Sequence, residues 1–434
     1  MQASNSRWAP PAAAAAGRRR LLAGGAAWTG LALAGCASTP AGPSLGRVVV
    51  VGGGYGGATA ARYLRLWGGQ VEVTLVERSP QFVSCPMSNL VVGGYRQLAA
   101  ITRSYDGLSA LGVRVLQGEV VAIDAAGKTV RLADGRQLPY DRLIVSPGID
   151  FMTEQVGGLA AGLESGRVVH AWKAGAQTLA LRQQLVDMPD GGVYAICIPP
   201  APYRCPPAPY ERACLVASYF RAAKPRSKVL VLDANPEIQS KKALFERAFA
   251  EHHAGILEYR PNAELKDVDG RTARLEFEDV QADVLNVVPP QRAADLARSA
   301  GLVNINQRWV GVNWLTMEST VRPGVHVLGD ATFPAPLMPK SGHMANQQAK
   351  VAAAAVIQLL KGQAVNATPL AVNICYSFVT PRLAIHVATA HRYDAAERSF
   401  RTVPGAGGLS PAASAQEAGD AQSWADNIWA DMLG

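Results

Sequence analysis

Three groups of residues in this 434-residue sequence are spaced to do chemistry. The first is Gly52-x-Gly54-x-x-Gly57, which follows the β-branched run Gly46–Val51 and precedes the Ala/Leu-rich stretch Ala58–Trp67. Glycines in this order permit a tight turn and a close approach of backbone to a pyrophosphate, and a helix start then turns free N–H groups toward the phosphates. Glu77 ends the next β-branched run, where its carboxylate can accept from both hydroxyls of a ribose. The second group is the six cysteines, Cys36, Cys85, Cys197, Cys205, Cys214 and Cys375. They form no Cys-x-x-Cys pair, which argues against a zinc ribbon, and no Cys-x-x-Cys-His, so this chain attaches no c-type haem. The third is an absence. After a second apolar run, Gly191–Ile198, a nicotinamide-binding unit would carry another glycine motif, but the chain reads Pro199-Pro200-Ala201-Pro202-Tyr203-Arg204-Cys205-Pro206-Pro207. Proline lacks the N–H that a phosphate cradle needs. A cysteine-bearing loop stands there instead, and the expected reductant is not NAD(P)H.

These residues need elements to hold them. Gly46–Val51, a helix over Ala58–Trp67 and Val71–Glu77 read as one βαβ unit. Val113–Gln117, Val120–Ile123, Thr129–Leu132 and Gln137–Pro139 read as a meander, and Tyr140–Val145 as a further buried strand. Gly191–Ile198 and Lys228–Asp233, with a helix around Tyr210–Ala223, suggest a second α/β unit. Val325–Asp330 is a late strand ending at Gly329-Asp330, and Met344–Leu360 a long Ala-rich helix. Flavoproteins with two dinucleotide-binding units use such an aspartate to hold the ribityl chain of FAD, so Gly329 and Asp330 join the cofactor-binding candidates. The start of the Ala-rich helix, with Lys340 before it, would face the end of the flavin where negative charge develops. The expected fold is α/β, with two Rossmann-like domains of the glutathione-reductase type and a C-terminal interface domain. The expected boundaries are 1–45 for an export signal and linker, 46–160 and 291–360 for the two parts of an FAD domain, 161–290 for the second Rossmann-like domain, and 361–434 for the less regular C-terminal part.

Composition bounds the function. Apolar residues make up 49% and charged residues 18%, which describes a globular chain. The formal net charge of +8 falls to about +4 without Arg7, Arg18, Arg19 and Arg20, since residues 1–35 hold no acid. That is too mild for nucleic acid, and no nucleic-acid motif is present. Arg18-Arg19-Arg20 before the apolar stretch Leu21–Ala34 fits a twin-arginine export signal and a periplasmic protein. Leu33-Ala34-Gly35-Cys36 resembles a lipobox, with Cys36 as a lipid anchor or as a residue discarded with the signal.

The sequence resembles the flavoprotein subunit of flavocytochrome c sulfide dehydrogenase. The resemblance rests on VVVVGGGYGGATAARYL from Val48, SCPMSNLVVGG from Ser84, YRCPPAPYERA from Tyr203, VLGDAT from Val327 and MPKSGHMANQQAK from Met338. NICYS from Asn373 and WADNIWADM from Trp424 add to it. It implies that Cys85 tethers the flavin covalently, that Cys205 and Cys375 form a redox-active disulfide beside it, and that sulfide is oxidised with a c-type cytochrome subunit as partner. By that chemistry a sulfide anion attacks one sulfur, giving a persulfide and a thiolate. Cys197 and Cys214 read as buried thiols or a local pair, His343 as structural, and Trp172, Trp309 and Trp314 as packing or interface residues. Trp424 and Trp429 are candidates for docking or for the core. Two rival readings are a sulfide:quinone reductase and a non-catalytic FAD-binding subunit.

Overall fold

The computed structural model describes residues 44–434. The export signal and the lipid attachment expected at Cys36 lie outside the described residues.

β1 (Gly46–Val51) is buried from Val48 to Val51, as its unbroken run of valines requires of a strand covered on both faces. It pairs in parallel with β2 (Val71–Glu77), reached through α1 (Tyr55–Gly68). The short α2 (Ser88–Val92) buries Val91 in the core of this sheet and Val92 in a second core. β3 (Arg114–Gln117) continues the sheet in parallel beside β2, and β4 (Arg142–Val145) lies on the other side of β1. Val325–Val327 pairs in parallel with β4, and two short strands at Val312–Asn313 and Glu318–Ser319 complete seven. The expected meander therefore loses its first member. Val115 and Leu116 pack on the core of this sheet, and only Val120–Asp124, Thr129–Leu132 and Gln137–Pro139 form the antiparallel meander. Short strands of similar alternation do not reveal their partners.

The second sheet has five strands, all parallel, in the order β5 (Val168–Val169), β9 (Val284–Val287), β6 (Val193–Ile198), β7 (Lys228–Asp233), β8 (Leu257–Arg260). α3 (Ala208–Ala223) leaves the proline loop after β6, with Pro209 in its first turn where a missing N–H costs nothing. α4 (Lys242–His252) follows β7. A mostly parallel seven-stranded sheet, antiparallel only at the edge near Val312–Val327, and an all-parallel second one confirm the α/β class.

α5 (Gly342–Leu360) runs against α1, capped by Ser341, whose hydroxyl accepts from the Met344 N–H. The C-terminal part is more regular than its composition suggests. β10 (Leu370–Thr380), β11 (Leu383–Asp394) and β12 (Ser399–Leu409) form an antiparallel sheet, followed by α6 (Ala415–Leu433). The glycine-rich end of β12 pairs with β11 through Gly407 and Gly408. A Cβ at Gly407 would strike Ala388 O, so glycine there serves a close strand contact. α6 returns to the first sheet: Asp431 accepts from Tyr63 on α1 and Asn346 on α5, and Arg62 donates to Gly434 O (2.9 Å). Among the described residues, no helix is long and apolar enough to cross a membrane.

Candidate active site

The turn between β1 and α1 opens on a cavity of about 780 Å³. Gly52 has φ +95°, and a Cβ on Gly57 would collide with Gly52 O, so the turn closes only with glycine at both places. At Gly54 a Cβ would meet nothing within 4 Å, which leaves that side open to a ligand. Glu77, at the end of β2, lines the cavity and is held by two backbone donors, Gly53 N–H to Oε2 (2.6 Å) and Ser79 N–H to Oε1 (2.8 Å). Asp330 reaches the cavity from the tight turn after Val325–Val327, where Gly329 has φ +76°. Its Oδ1 is buried without a partner.

Cys85 lines the cavity from the loop before α2. Its sulfur accepts from Arg204 Nη2 (3.3 Å) and from the Ala174 N–H (3.4 Å). Cys205 sits in the proline loop at φ +54°, an uncommon conformation for a non-glycine residue, with its N–H donating to Lys340 O (2.8 Å). Cys375 lies in the middle of β10. The fold brings these two together: their thiols lie close enough to shift each other's ionisation, although 170 positions separate them in sequence. Cys205 and Cys375 are free thiols here, not the expected disulfide. The Cys205 thiol donating to Cys375 holds Cys375 below the usual thiol range, with the Lys241 ammonium adding to this. Cys205 is raised by the same hydrogen bond and by burial.

Sequence reasoning missed four residues around this pair. Arg204 is enclosed in the cavity wall, 3.8 Å from the Asp330 carboxylate, and donates to Trp172 O. Trp172 lines the cavity, with its Nε1 buried and unpartnered. Glu211 on α3 accepts from the Phe378 N–H (2.8 Å) and Asn89 Nδ2 (2.8 Å), yet burial raises its pKa to about 7. Lys241, at the start of α4, donates to Cys375 O and Ser377 Oγ, both at 2.8 Å. Arg204 and Glu211 flank Cys205 in sequence, a usable signal, whereas Lys241 is brought in from another strand end by tertiary folding alone.

Lys340 itself lines the cavity. The start of α5 opens on it through Ser341 and Gly342. Lys340 is 6% exposed and donates to Asp330 O (2.9 Å) and Thr332 O, with its Nζ 3.7 Å from the Trp309 ring centre. Burial lowers its pKa to about 7. Its side chain therefore braces the Asp330 turn, and its charge is spent on backbone carbonyls. His343 accepts from the Ile374 N–H (3.0 Å), a structural contact. Trp429 is buried and donates to Tyr55 OH (3.2 Å), which makes it a core residue, while Trp424 packs beside His343. Trp309 and Trp314 are buried packing residues. Cys197 and Cys214 are free, buried and in separate core clusters, so they form no local pair.

The lining tests the cofactor directly. A glycine cradle with one open side, a carboxylate beyond it, and two orphaned buried polar atoms, Asp330 Oδ1 and Trp172 Nε1, suit a dinucleotide that reaches from Glu77 to the cysteines. FAD fits these residues.

Residues 178–289 match the family described as the central part of the sulfide dehydrogenase [flavocytochrome c] flavoprotein chain, and residues 367–433 match the flavocytochrome c sulphide dehydrogenase flavin-binding family. The chain belongs with the flavocytochrome c sulfide dehydrogenase flavoproteins. Residues 46–186 also match the broader pyridine nucleotide-disulphide oxidoreductase family, which agrees with a two-dinucleotide-domain flavoprotein that binds FAD. A 45-residue stretch of this flavoprotein, 10% of its length, is 60% identical to 94% of the sulfide dehydrogenase [flavocytochrome c] flavoprotein chain sequence of Chlorobaculum thiosulfatiphilum. The chain as a whole is also 25% identical over 305 residues to the mitochondrial sulfide:quinone oxidoreductase of Mus musculus. That match covers 66% of this chain and 65% of the mouse protein. Among solved structures, the sulfide:quinone oxidoreductase of Aquifex aeolicus superposes with a TM-score of 0.74 at 19% identity, over 89% of this chain and 91% of that one. At that identity the likeness is one of fold.

Proposed function

We propose that this flavoprotein oxidises sulfide to sulfur or polysulfide through Cys205 and Cys375, and passes the electrons to a c-type cytochrome subunit. The observation that carries the reading is the contact between these two cysteines at the wall of the dinucleotide cavity. A redox pair must lie beside its electron acceptor, and Cys205 lines the cavity with Cys375 against it. Bound FAD supplies a two-electron acceptor that can give up electrons singly. The chain's own residues do the rest. Gly52, Gly54 and Gly57 admit the pyrophosphate, Glu77 presents a carboxylate at the ribose end, and Asp330 offers its unpartnered oxygen toward the ribityl chain. In the oxidised pair, a sulfide anion attacks one sulfur, the S–S bond breaks, and the electron pair leaves on the other as a thiolate. Glu211, titrating near neutrality beside the pair, is suited to take the proton that sulfide sheds. Cys85, with Arg204 donating to its sulfur, is the proposed covalent tether. Export by the twin-arginine signal, with Cys36 as the lipid site, completes the proposal.

The test is anaerobic addition of sulfide to the purified protein while the visible absorbance of the flavin is followed. Rapid bleaching in the wild type and none in Cys205→Ser supports the route. No bleaching with flavin present and the pair oxidised overturns it. Reoxidation by a c-type cytochrome, set against a soluble quinone, then decides between the cytochrome acceptor and the rival quinone reading.

A further inference from the structure

We infer that Lys241 is a positioning residue that keeps the Cys375 sulfur anionic whenever the Cys205–Cys375 pair is open. The inference rests on reading these two cysteines as the working pair, and adds a role for a residue in neither the cavity wall nor the pair. Lys241 is 5% exposed, and its side chain runs from the end of the β7–α4 connection to β10. There its Nζ donates to Cys375 O and to Ser377 Oγ, both at 2.8 Å. Side chains two apart on a strand share a face. The register of β10 is regular from Cys375 to Ser377, so an ammonium bonded to Ser377 Oγ lies on the face from which the Cys375 sulfur projects.

A second observation is the backbone. Lys241 has φ +56° and ψ +37°, a left-handed conformation that costs a non-glycine residue free energy and persists where the surroundings impose it. Cys205, on the other side of the pair, has φ +54°. Lys241 and Cys205, both neighbours of Cys375, thus share left-handed backbone.

A buried ammonium is costly without an anion close by. The charged and titratable groups around this one are few. Glu211 faces it from α3, Cys375 from β10, Cys205 from the proline loop and Glu417 from α6. Glu417 is itself bonded to His386 on β11 (2.7 Å). Arg204 acts on the Cys205 side. Cys375 is thus the thiol that a dedicated cation faces; its lowered pKa owes most to the Cys205 hydrogen bond, with Lys241 adding to it. The consequence is chemical. Sulfide opens the S–S bond by leaving a persulfide on Cys205 and the electron pair on Cys375 as a thiolate, whereas a phosphine added in a test takes an oxygen from water, becomes its oxide and leaves both sulfurs reduced. With Lys241 in place, the phosphine-reduced pair takes one proton at Cys205 and needs none at Cys375. The pair becomes one thiol and one thiolate, a better nucleophile and electron donor than two thiols at neutral pH.

The experiment needs no sulfide. The flavin-loaded protein is reduced with a water-soluble phosphine and treated briefly with iodoacetamide across a pH series, and the modified cysteine is identified by peptide mass spectrometry. In the wild type Cys375 is modified first, with a pH midpoint below that of an ordinary thiol, roughly 8.5. Lys241→Met raises the midpoint by about one pH unit or more, and Lys241→Arg restores it, which a purely structural role would not require. Should Lys241→Met lose its flavin, Ser377→Ala loosens the same ammonium and gives a smaller rise. Superposable profiles for wild type and variants, or Cys205 modified first, overturn the inference. Since alkylation is independent of turnover, a protein that fails to oxidise sulfide but shows the Lys241 shift would sink the proposed function and leave this inference standing.

Discussion

Lys340 illustrates how far burial can redirect a charged residue. Its pKa of about 7 lies well below that of a lysine in an unfolded chain, near 10.4. Below pH 7 both states carry the proton, and the native state bears the full cost of burying it. Between pH 7 and about 10 the unfolded chain holds a proton that the native one has released, so this group makes stability rise with pH, by at most about 1.4 kcal/mol per unit. Lys340→Met removes this contribution. Urea denaturation of the two proteins is expected to favour the variant most below pH 7, with the gap closing toward pH 10. Cys85 carries a simpler prediction. If it tethers the flavin, acid precipitation leaves the colour with the wild-type polypeptide and releases it from Cys85→Ser into the supernatant. At this scale the sequence exposed the cysteines and the glycine motif, because each has an unusual residue type or spacing. It did not expose Trp172 or Lys241, whose roles depend on which distant strand they meet.

The elements are joined by a buried polar centre on α3. Arg212 is 2% exposed and donates to Asn89 on α2 (2.9 Å), Asn286 on β9 (2.9 Å), His170 O (3.0 Å) and Ala171 O (2.7 Å). Its guanidinium also lies 5.2 Å from the Trp172 ring centre. It thereby fixes the segment that presents Trp172 and Ala174 to Cys85. Arg212→Ala strands several buried acceptors at roughly 1–3 kcal/mol each. The variant is expected to lose at least about 3 kcal/mol in chemical denaturation, and to bind flavin less completely at equal protein. The parallel runs were legible as strands because nothing else buries four valines in succession. The meander and the C-terminal sheet were not, since short alternating strands and a glycine-rich edge carry no information about their partners.

Among the described residues, the last helix is locked onto the first βαβ unit. α6 closes the first βαβ unit by burying Ala421, Ala425, Ile428, Trp429, Met432 and Leu433 against the main core. Trp429 bonds the Tyr55 hydroxyl within the α1 turn, and Asp431 accepts from Tyr63, Asn346 and Lys350. A chain ending at residue 414 would expose this apolar face. It is expected to be recovered insoluble or without flavin, read by gel filtration and visible absorbance, whereas Ser414→Ala, which removes only the helix cap, should cost about 1 kcal/mol and keep both. By itself the sequence determined the nucleotide cradle, the loss of a nicotinamide motif and the α/β class, because these follow from local spacing, proline chemistry and runs of buried residue types. Only the tertiary structure decided that Lys241 faces the Cys205–Cys375 pair and that Lys340 braces the Asp330 turn at the cavity wall, since each depends on segments far apart in the chain packing into one place.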